Sequence, residues 1–278
     1  MLTIDPKTEK TALVHKYILG AVAPRPIAFA STIDKTGNLN LSPFSFFNAF
    51  SANPPILIFS PARRVRGNTI KHTLENIMAT NEVVIGIVTS EMAEQVSLSS
   101  CDFEQGVNEF KKAGFTAEKA DLIKPSLIKQ SPVNFECKVN KVIELGEEGG
   151  AGNLVICEVL RIHIVKAILD ANENIDPFKL NALSRLGGNW YGKATKDSLF
   201  ELEKPIGKTG MGFDNLPNDI RASSILSGSD LAILASWEEI PSKTSFLERE
   251  WKNIEEKHTL AKKYLRQGNV NEAWQILL

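Results

Sequence analysis

Three arginines within four positions, Arg63, Arg64 and Arg66, stand between an apolar run and a helical pattern. The run Pro55-Ile-Leu-Ile-Phe59 reads as a buried strand, and Gly67-Asn68 after the arginines is a turn signal. Ile70, Leu74, Ile77 and Met78 then fall on one face of a helix. A strand, a basic loop and a helix start rich in hydroxyls (Ser60, Thr69, Thr73) make a phosphate cradle. The helix start offers unpaired N–H groups and the positive end of its dipole, and the arginines and Lys71 add charge. A solvated basic loop capping a helix is the alternative reading of the same residues.

Other chemistries find no support. Gly207-Lys-Thr209 resembles the end of a P-loop, but position 202, where the first glycine belongs, is leucine. Gly210-Met-Gly212 lacks the third glycine and the βαβ frame of a dinucleotide fold. No Gly-x-Ser-x-Gly elbow occurs. The histidines His15, His72, His163 and His258 lack metal-ligand spacing, and no carboxylate pair stands out for acid–base work. No metal site and no catalytic side chain is assigned. The chemistry is expected to belong to a bound cofactor that the protein orients.

A chain of 278 residues, 43% hydrophobic and 23% charged, has ample length for one large domain or a domain with an extension. The net charge of −1 gives no support for nucleic-acid or membrane attraction. Cys101, Cys137 and Cys157 are odd in number and widely spaced, which fits a reduced, cytoplasmic compartment. The N-terminus lacks a signal-peptide pattern, and no apolar run is long enough to cross a bilayer.

The elements expected to position the cradle are mostly strands. Pro26–Ile33, the turn Asp34-Lys-Thr-Gly37, and Asn38–Leu41 with Ser45–Phe47 form a hairpin. Pro55–Phe59 and Glu82–Val88 are further strands. Val133–Leu145 and Leu154–Ile168 are long ones flanking the glycine-rich loop 146–152. Helices are expected near 12–19, 69–79, 91–99 and 106–112. The sum is a largely antiparallel closed sheet with peripheral helices, a mainly β (α+β) fold. Thr195–Pro217 reads as a connector, and Asp230–Trp237 as a helix. Ser245-Phe-Leu-Glu248 fits a capping box, followed by Leu247, Trp251, Ile254, His258, Ala261 and Leu265 at helical spacing. Gly268 ends that helix and Asn269 can cap a last one. Such a tail reads as a packing arm or dimer brace, with a partner-binding module as the alternative. The expected division is 1–192 and 193–278.

Five segments in order carry a family resemblance. They begin with Pro24-Arg-Pro-Ile-Ala-Phe-Ala-Ser-Thr32 and Leu41-Ser-Pro-Phe-Ser-Phe-Phe-Asn48 with Asn53-Pro-Pro55. Lys71-His-Thr-Leu-Glu-Asn-Ile77, Gly106-Val-Asn-Glu-Phe-Lys-Lys-Ala-Gly-Phe-Thr116 and Ser184-Arg-Leu-Gly-Gly-Asn-Trp-Tyr191 follow. Over residues 12–192 the chain resembles the flavin reductase-like proteins, which are FMN-binding split β-barrels and include the flavoredoxins. The tail resembles the longer members only.

The resemblance implies a homodimer with non-covalent FMN near the subunit interface. It also implies hydride transfer from NAD(P)H to the flavin, which then serves a monooxygenase, oxygen or another redox protein. It places the turn Ser42, Pro43, Phe44, Ser45, Phe46, Asn48 against the flavin ring. Some of these phenylalanines are core residues by strand alternation. The basic loop (Ser60, Arg63, Arg64, Asn68, Thr69) and the helix start (Lys71, His72, Thr73) would hold the ribityl phosphate. His72 stands where the family commonly has Asp, so Asn68, Thr69 and His72 are all candidate N-caps. Arg185, Gly187, Gly188 and Tyr191 would reach the flavin edge or the partner's site; a turn leading out of the barrel is the alternative. An electron carrier with little NAD(P)H oxidation, or an interaction module using the helical tail, are the rival functions.

Overall fold

The structure, a computed structural model, describes residues 1–244 and 250–278. The chain forms two compact units, Met1–Phe200 and Glu201–Leu278.

The first unit opens with helix α1 (Thr11–Ala21) and the short strand β1 (Arg25–Pro26). Strands β2 (Ala28–Ile33) and β3 (Leu39–Phe44) form the expected hairpin, in register from Ala28↔Phe44 to Ile33↔Leu39, but Ser45–Phe47, expected in it, lies beyond its end. Asp34 shapes its turn: Oδ1 accepts from Thr36 N at 2.8 Å and Asn38 N at 2.9 Å. The Asn38 side chain, donating Nδ2 to Oδ2 at 2.9 Å, and then these backbone bonds lower its carboxyl to about 2. Strands β4 (Phe47–Ala52) and β5 (Pro55–Phe59) form the next hairpin. Helix α2 (His72–Thr80) leads into β6 (Glu82–Ile87). Helices α3 (Ala93–Ser99) and α4 (Glu109–Lys112) follow, then the paired short strands β7 (Ala117–Glu118) and β8 (Leu127–Ile128). The long strands β9 (Val133–Glu144) and β10 (Asn153–Ile164) complete the main sheet.

That sheet is seven-stranded and antiparallel, in the order β3-β2-β6-β9-β10-β5-β4. Alternation along β2 explains why its apolar run is uninterrupted. Ala28 and Ala30 join Phe44, Leu57, Phe59, Ile85, Cys137 and Cys157 in one core. Phe29 joins Leu41, Val96, Phe110, Phe115 and Ile128 in another, under the helices. Both faces of the strand are therefore buried.

Two expectations need correction. The sheet is not closed: among the described residues β3 and β4 are its edges, joined by the chain through Ser45 and Phe46 and not by a ladder. Pro43 on β3 has no N–H to give such a ladder, which suits an edge. The strand expected to reach Ile168 stops at Ile164, and Lys166–Ile168 forms a single 3₁₀ turn. Its partner β9 begins at Val133, paired to Ile164, and is preceded by Pro132, which cannot donate to the ladder.

After helix α5 (Pro177–Leu180), strands β11 (Ser184–Arg185) and β12 (Tyr191–Gly192) pair beside β1 in a small sheet. Arg25 ties this sheet to α1. Its guanidinium donates to Leu19 O at 2.7 Å, to Val22 O, and to Leu186 O at 3.1 Å. The first two carbonyls lie at the C-terminal end of the helix, where acceptors lack intrahelical donors and the dipole favours a cation.

The second unit contains α6 (Asn218–Arg221), α7 (Gly228–Ala235), α8 (Ile254–Arg266) and α9 (Val270–Leu277). Leu234, Ala261, Leu265, Ala273 and Trp274 form its core. Ser227 and Asp230 make a reciprocal capping box at α7. The expected capping box at Ser245–Glu248 lies outside the described residues. The described helix starts later, at Ile254, where Asn253 caps it by accepting from Glu256 N at 2.8 Å. Trp251 precedes this helix and packs against the core. Asn269 holds the N-cap position of α9 without a side-chain bond. No described helix is long and apolar enough to cross a membrane.

Candidate functional site

Helix α2 starts at His72, and its N-cap is Lys71, in an extended conformation with no side-chain cap bond. This corrects the three expected caps. Asn68 is in the left-handed region at φ 47. Its Oδ1 accepts from Arg63 Nε at 2.7 Å, and its Nδ2 donates to Glu147 O at 2.9 Å. Thr69 Oγ1 accepts from Arg64 Nη1 at 3.2 Å. The side chains of Asn68 and Thr69 are therefore engaged away from the helix start, and no side-chain hydrogen bond caps it.

A polar cradle forms there. It is lined by Asn40 and Ser42 of β3, by Arg64, by Lys71, His72 and Thr73, by Glu109, and by the segment 99–103 that follows α3. Arg64 and Lys71 are half-buried, with side-chain exposures of 24% and 33%. Both face the carboxylate of Asp102: Arg64 Nε lies 3.7 Å and Lys71 Nζ 3.8 Å from Oδ1. The arrangement is a place for an anion with two cations preset toward it.

The floor is a buried polar chain. Glu109 Oε2 accepts from Leu41 N at 3.0 Å, and Oε1 accepts from Asn40 Nδ2 at 2.9 Å. Asn40 Oδ1 accepts from Thr73 Oγ1 at 2.8 Å. Thr73 is buried, and its proton is committed to Asn40. The expected hydroxyl donation from Thr73 to a phosphate is thus already spent, and its contribution to the cradle is the backbone N–H. Burial pushes the Glu109 carboxyl above its usual range, against the opposing hydrogen bonds from Leu41 and Asn40.

A second cleft, of about 210 Å³, adjoins the cradle. Ile27, Pro43, Ser45, Val96, Ser97, Ser100, Arg185 and Tyr191 line it. Arg185 stacks over the Tyr191 ring at 4.4 Å and donates to Trp190 O at 3.0 Å. Ser42 and Pro43 are consecutive and face one cavity each, while Ser100 lines both. The anion cradle and the partly apolar cleft are therefore neighbours on one strand and one helix end.

The remaining expected residues lie elsewhere. Phe44 is core, tilted against Phe59 at 5.4 Å between ring centres. Phe46 meets His15 edge to face at 6.3 Å, and Asn48 Oδ1 accepts from Ala49 N. Ser60 is buried, and its Oγ accepts from Asn153 N at 3.0 Å. Arg63 closes the basic loop. Gly187 approaches the backbone of α1: a Cβ there would lie 2.8 Å from Gly20 Cα. Gly188 turns the β11–β12 hairpin at φ 59.

Sequence reading missed Ile27, Asn40, Val96, Ser97, Glu109 and the segment Ser99–Phe103, which line these cavities. The hydroxyl density of Ser97-Leu-Ser-Ser100 was a usable signal; nothing local marks Asn40. A further cluster, Asp121, Glu136 and His163, is bonded within itself. Buried Glu136 accepts from Asp121 N, Leu122 N and His163 Nε2, and Arg161 takes Asp121 at 2.6 Å. It pins the 121–122 loop to the sheet.

The open antiparallel sheet, with a polar cradle and a partly apolar cleft beside it, has the split-barrel architecture. The family described as "Flavin reductase like domain" matches residues 20–178, and the chain belongs to it. A protein of Aquifex aeolicus is 40% identical over 181 residues, 65% of this chain and 90% of that one. Nitrilotriacetate monooxygenase component B from Bacillus cereus superposes with a TM-score of 0.68 at 29% identity, covering 73% of this chain and 98% of its own. A putative flavin reductase with split barrel domain from Shewanella frigidimarina gives 0.61 at 24% identity, covering 71% and 95%, and shares the fold.

Proposed function

We propose that this protein is an FMN-dependent oxidoreductase of flavin reductase type, taking hydride from NAD(P)H and acting as a homodimer. One observation carries the reading: Ser42-Pro43 and Ser100 join a two-cation cradle to a cleft with apolar walls. A molecule with a terminal phosphate and a flat apolar ring fits that pair. Arg64, Lys71 and the first N–H groups of α2 would hold the phosphate. Ile27, Pro43 and Val96 would wall the ring, with Ser45, Ser97 and Ser100 as polar partners for its edge.

Bound flavin supplies the hydride acceptor. The residues lining the cleft include no carboxylate and no histidine. The protein's part is accordingly binding, orientation and exclusion of water, with no side-chain acid required. Arg185 places a cation beside the cleft, where it favours negative charge on a reduced ring. The likeness to a monooxygenase component makes a monooxygenase the favoured electron acceptor, with oxygen or another redox protein as alternatives.

The dimer reading rests on β10. Its pairing with β5 covers only Val155–Glu158, so the stretch beyond is laddered on one edge, to β9. Leu160, Ile162 and Ile164 are exposed on that stretch. A second copy would cover this apolar strand and its open edge.

The test is the purified protein itself. A yellow protein that releases FMN on heating, and whose flavin bleaches rapidly under anaerobic NADH or NADPH, is expected. Recovery of mainly FAD, or no flavin binding at micromolar concentration, overturns the cofactor reading. Bound FMN that does not bleach leaves an electron carrier instead. Sedimentation should give about twice the 30.7 kDa of the chain.

A further inference from the structure

Asp102 stands in the phosphate cradle with nothing but charge to hold it there. Its side chain is 81% exposed, so packing does not fix its position. Its carboxylate nevertheless lies between Arg64 and Lys71, at 3.7 and 3.8 Å. Both distances exceed hydrogen-bond length, so these are loose ion pairs. The cations are the better-held members. Arg64 is pinned by its own donation to Thr69 Oγ1 and Ile70 O, both from Nη1, with Nε 3.7 Å from the carboxylate. Lys71 has its backbone at the N-cap of α2, and its side chain is 33% exposed against 81% for Asp102. Two half-buried cations and an exposed, displaceable anion make an arrangement that another anion can enter.

We propose that Asp102 is an internal competitor for the cradle, setting how readily a phosphate-bearing flavin enters and leaves. The proposal rests on the FMN reading above. An incoming phosphate dianion must displace the carboxylate from Arg64 and Lys71, and it then sits within a few ångströms of a like charge. Both effects weaken the bound state, and they act on the phosphate end only. The chain thereby keeps a two-cation site while holding its affinity in the range where flavin exchanges.

The test compares the wild type with Asp102→Asn, a near-isosteric change at an exposed position. FMN and riboflavin are titrated into both by fluorescence quenching, and FMN release is followed after dilution. Asp102→Asn should bind FMN on the order of tenfold more tightly and release it correspondingly more slowly. Its riboflavin affinity should stay within about twofold of the wild type, because riboflavin carries no phosphate. Equal or weaker FMN binding in the variant overturns the proposal, as does equal tightening for both flavins. Inorganic phosphate supplies an independent arm: it should raise the melting temperature of Asp102→Asn more than that of the wild type. If neither flavin binds but this difference stands, the flavin reading fails and the competitor survives. An equal phosphate effect in both proteins without an FMN difference overturns the competitor.

Discussion

Asn40 and Glu109, 69 positions apart, meet at 2.9 Å beneath the cradle, and the contact fixes which way the Asn40 amide points. The amide N–H₂ faces the carboxylate, so its oxygen faces Thr73 and takes that hydroxyl's proton. The start of α2 is thus tied to β3 and to α4 through one side chain.

Glu109→Ala should leave the Leu41 N–H and the Asn40 amide buried without their acceptor. A loss of about 1–3 kcal/mol of stability is expected, read by urea denaturation. An unchanged midpoint would mean that water replaces the carboxylate without cost.

The pH dependence has a defined sign. Burial raises the folded-state pKa of Glu109 above its usual 4.5. Between that value and the raised one, the folded protein keeps a proton that the unfolded chain has lost. Stability from this group is therefore fully present below 4.5 and falls as pH rises through the raised value. Glu109→Gln should remove that slope, so the wild type's stability relative to the variant declines as pH increases. Denaturation curves across a pH series measure it, and a rising difference would contradict the assignment.

Lys71→Ala should weaken FMN by about 1.5–3 kcal/mol, the worth of a charge-assisted hydrogen bond, and leave riboflavin nearly untouched. Parallel titrations decide it; equal weakening of both ligands would place the effect on the fold.

Of the three cysteines, only Cys101 is exposed. Burial pushes the Cys137 thiol up to about 12 and the Cys157 thiol well above its usual range. A thiol reagent should consume one equivalent per native chain at neutral pH and three after denaturation. Because Cys101 lines the cradle, FMN should slow its reaction. Rapid reaction of a second thiol would show that the barrel core opens.

Gly187→Ala should push the β11–β12 hairpin off α1, since the new methyl meets Gly20 Cα at 2.8 Å. Overpacking of this kind costs about 1–3 kcal/mol. Thermal melting should fall; loss of riboflavin affinity at unchanged stability would instead put Gly187 at the ring.

The main sheet was legible because its signals are local. Apolar runs, the Asp34–Gly37 turn and the glycine-rich 146–152 loop punctuate consecutive antiparallel strands, so chain order nearly prescribes the pairing. The cradle's cations were legible for the same reason: Arg64 and Lys71 sit on a strand–loop–helix step. Its floor was not, because Asn40 and Glu109 become partners only when β3 meets α4. The N-cap failed for a physical reason too. Asn68 and Thr69 have capping chemistry, but the arginines of the same loop claim their oxygens first. Phe44 and Phe46 differ by two positions and look alike in sequence, yet one is core and the other meets His15.

The Arg25 clamp bears on how the chain is made. Helix α1 contains no fully buried residue; Leu13, Val14 and Leu19 are partly buried and His15 meets Phe46. A cation adds to this by reaching its last carbonyls and, 161 positions onward, Leu186 O. During translation that second acceptor leaves the ribosome long after the first. The clamp from Arg25 to Leu186 can therefore close only after most of the barrel has been synthesised.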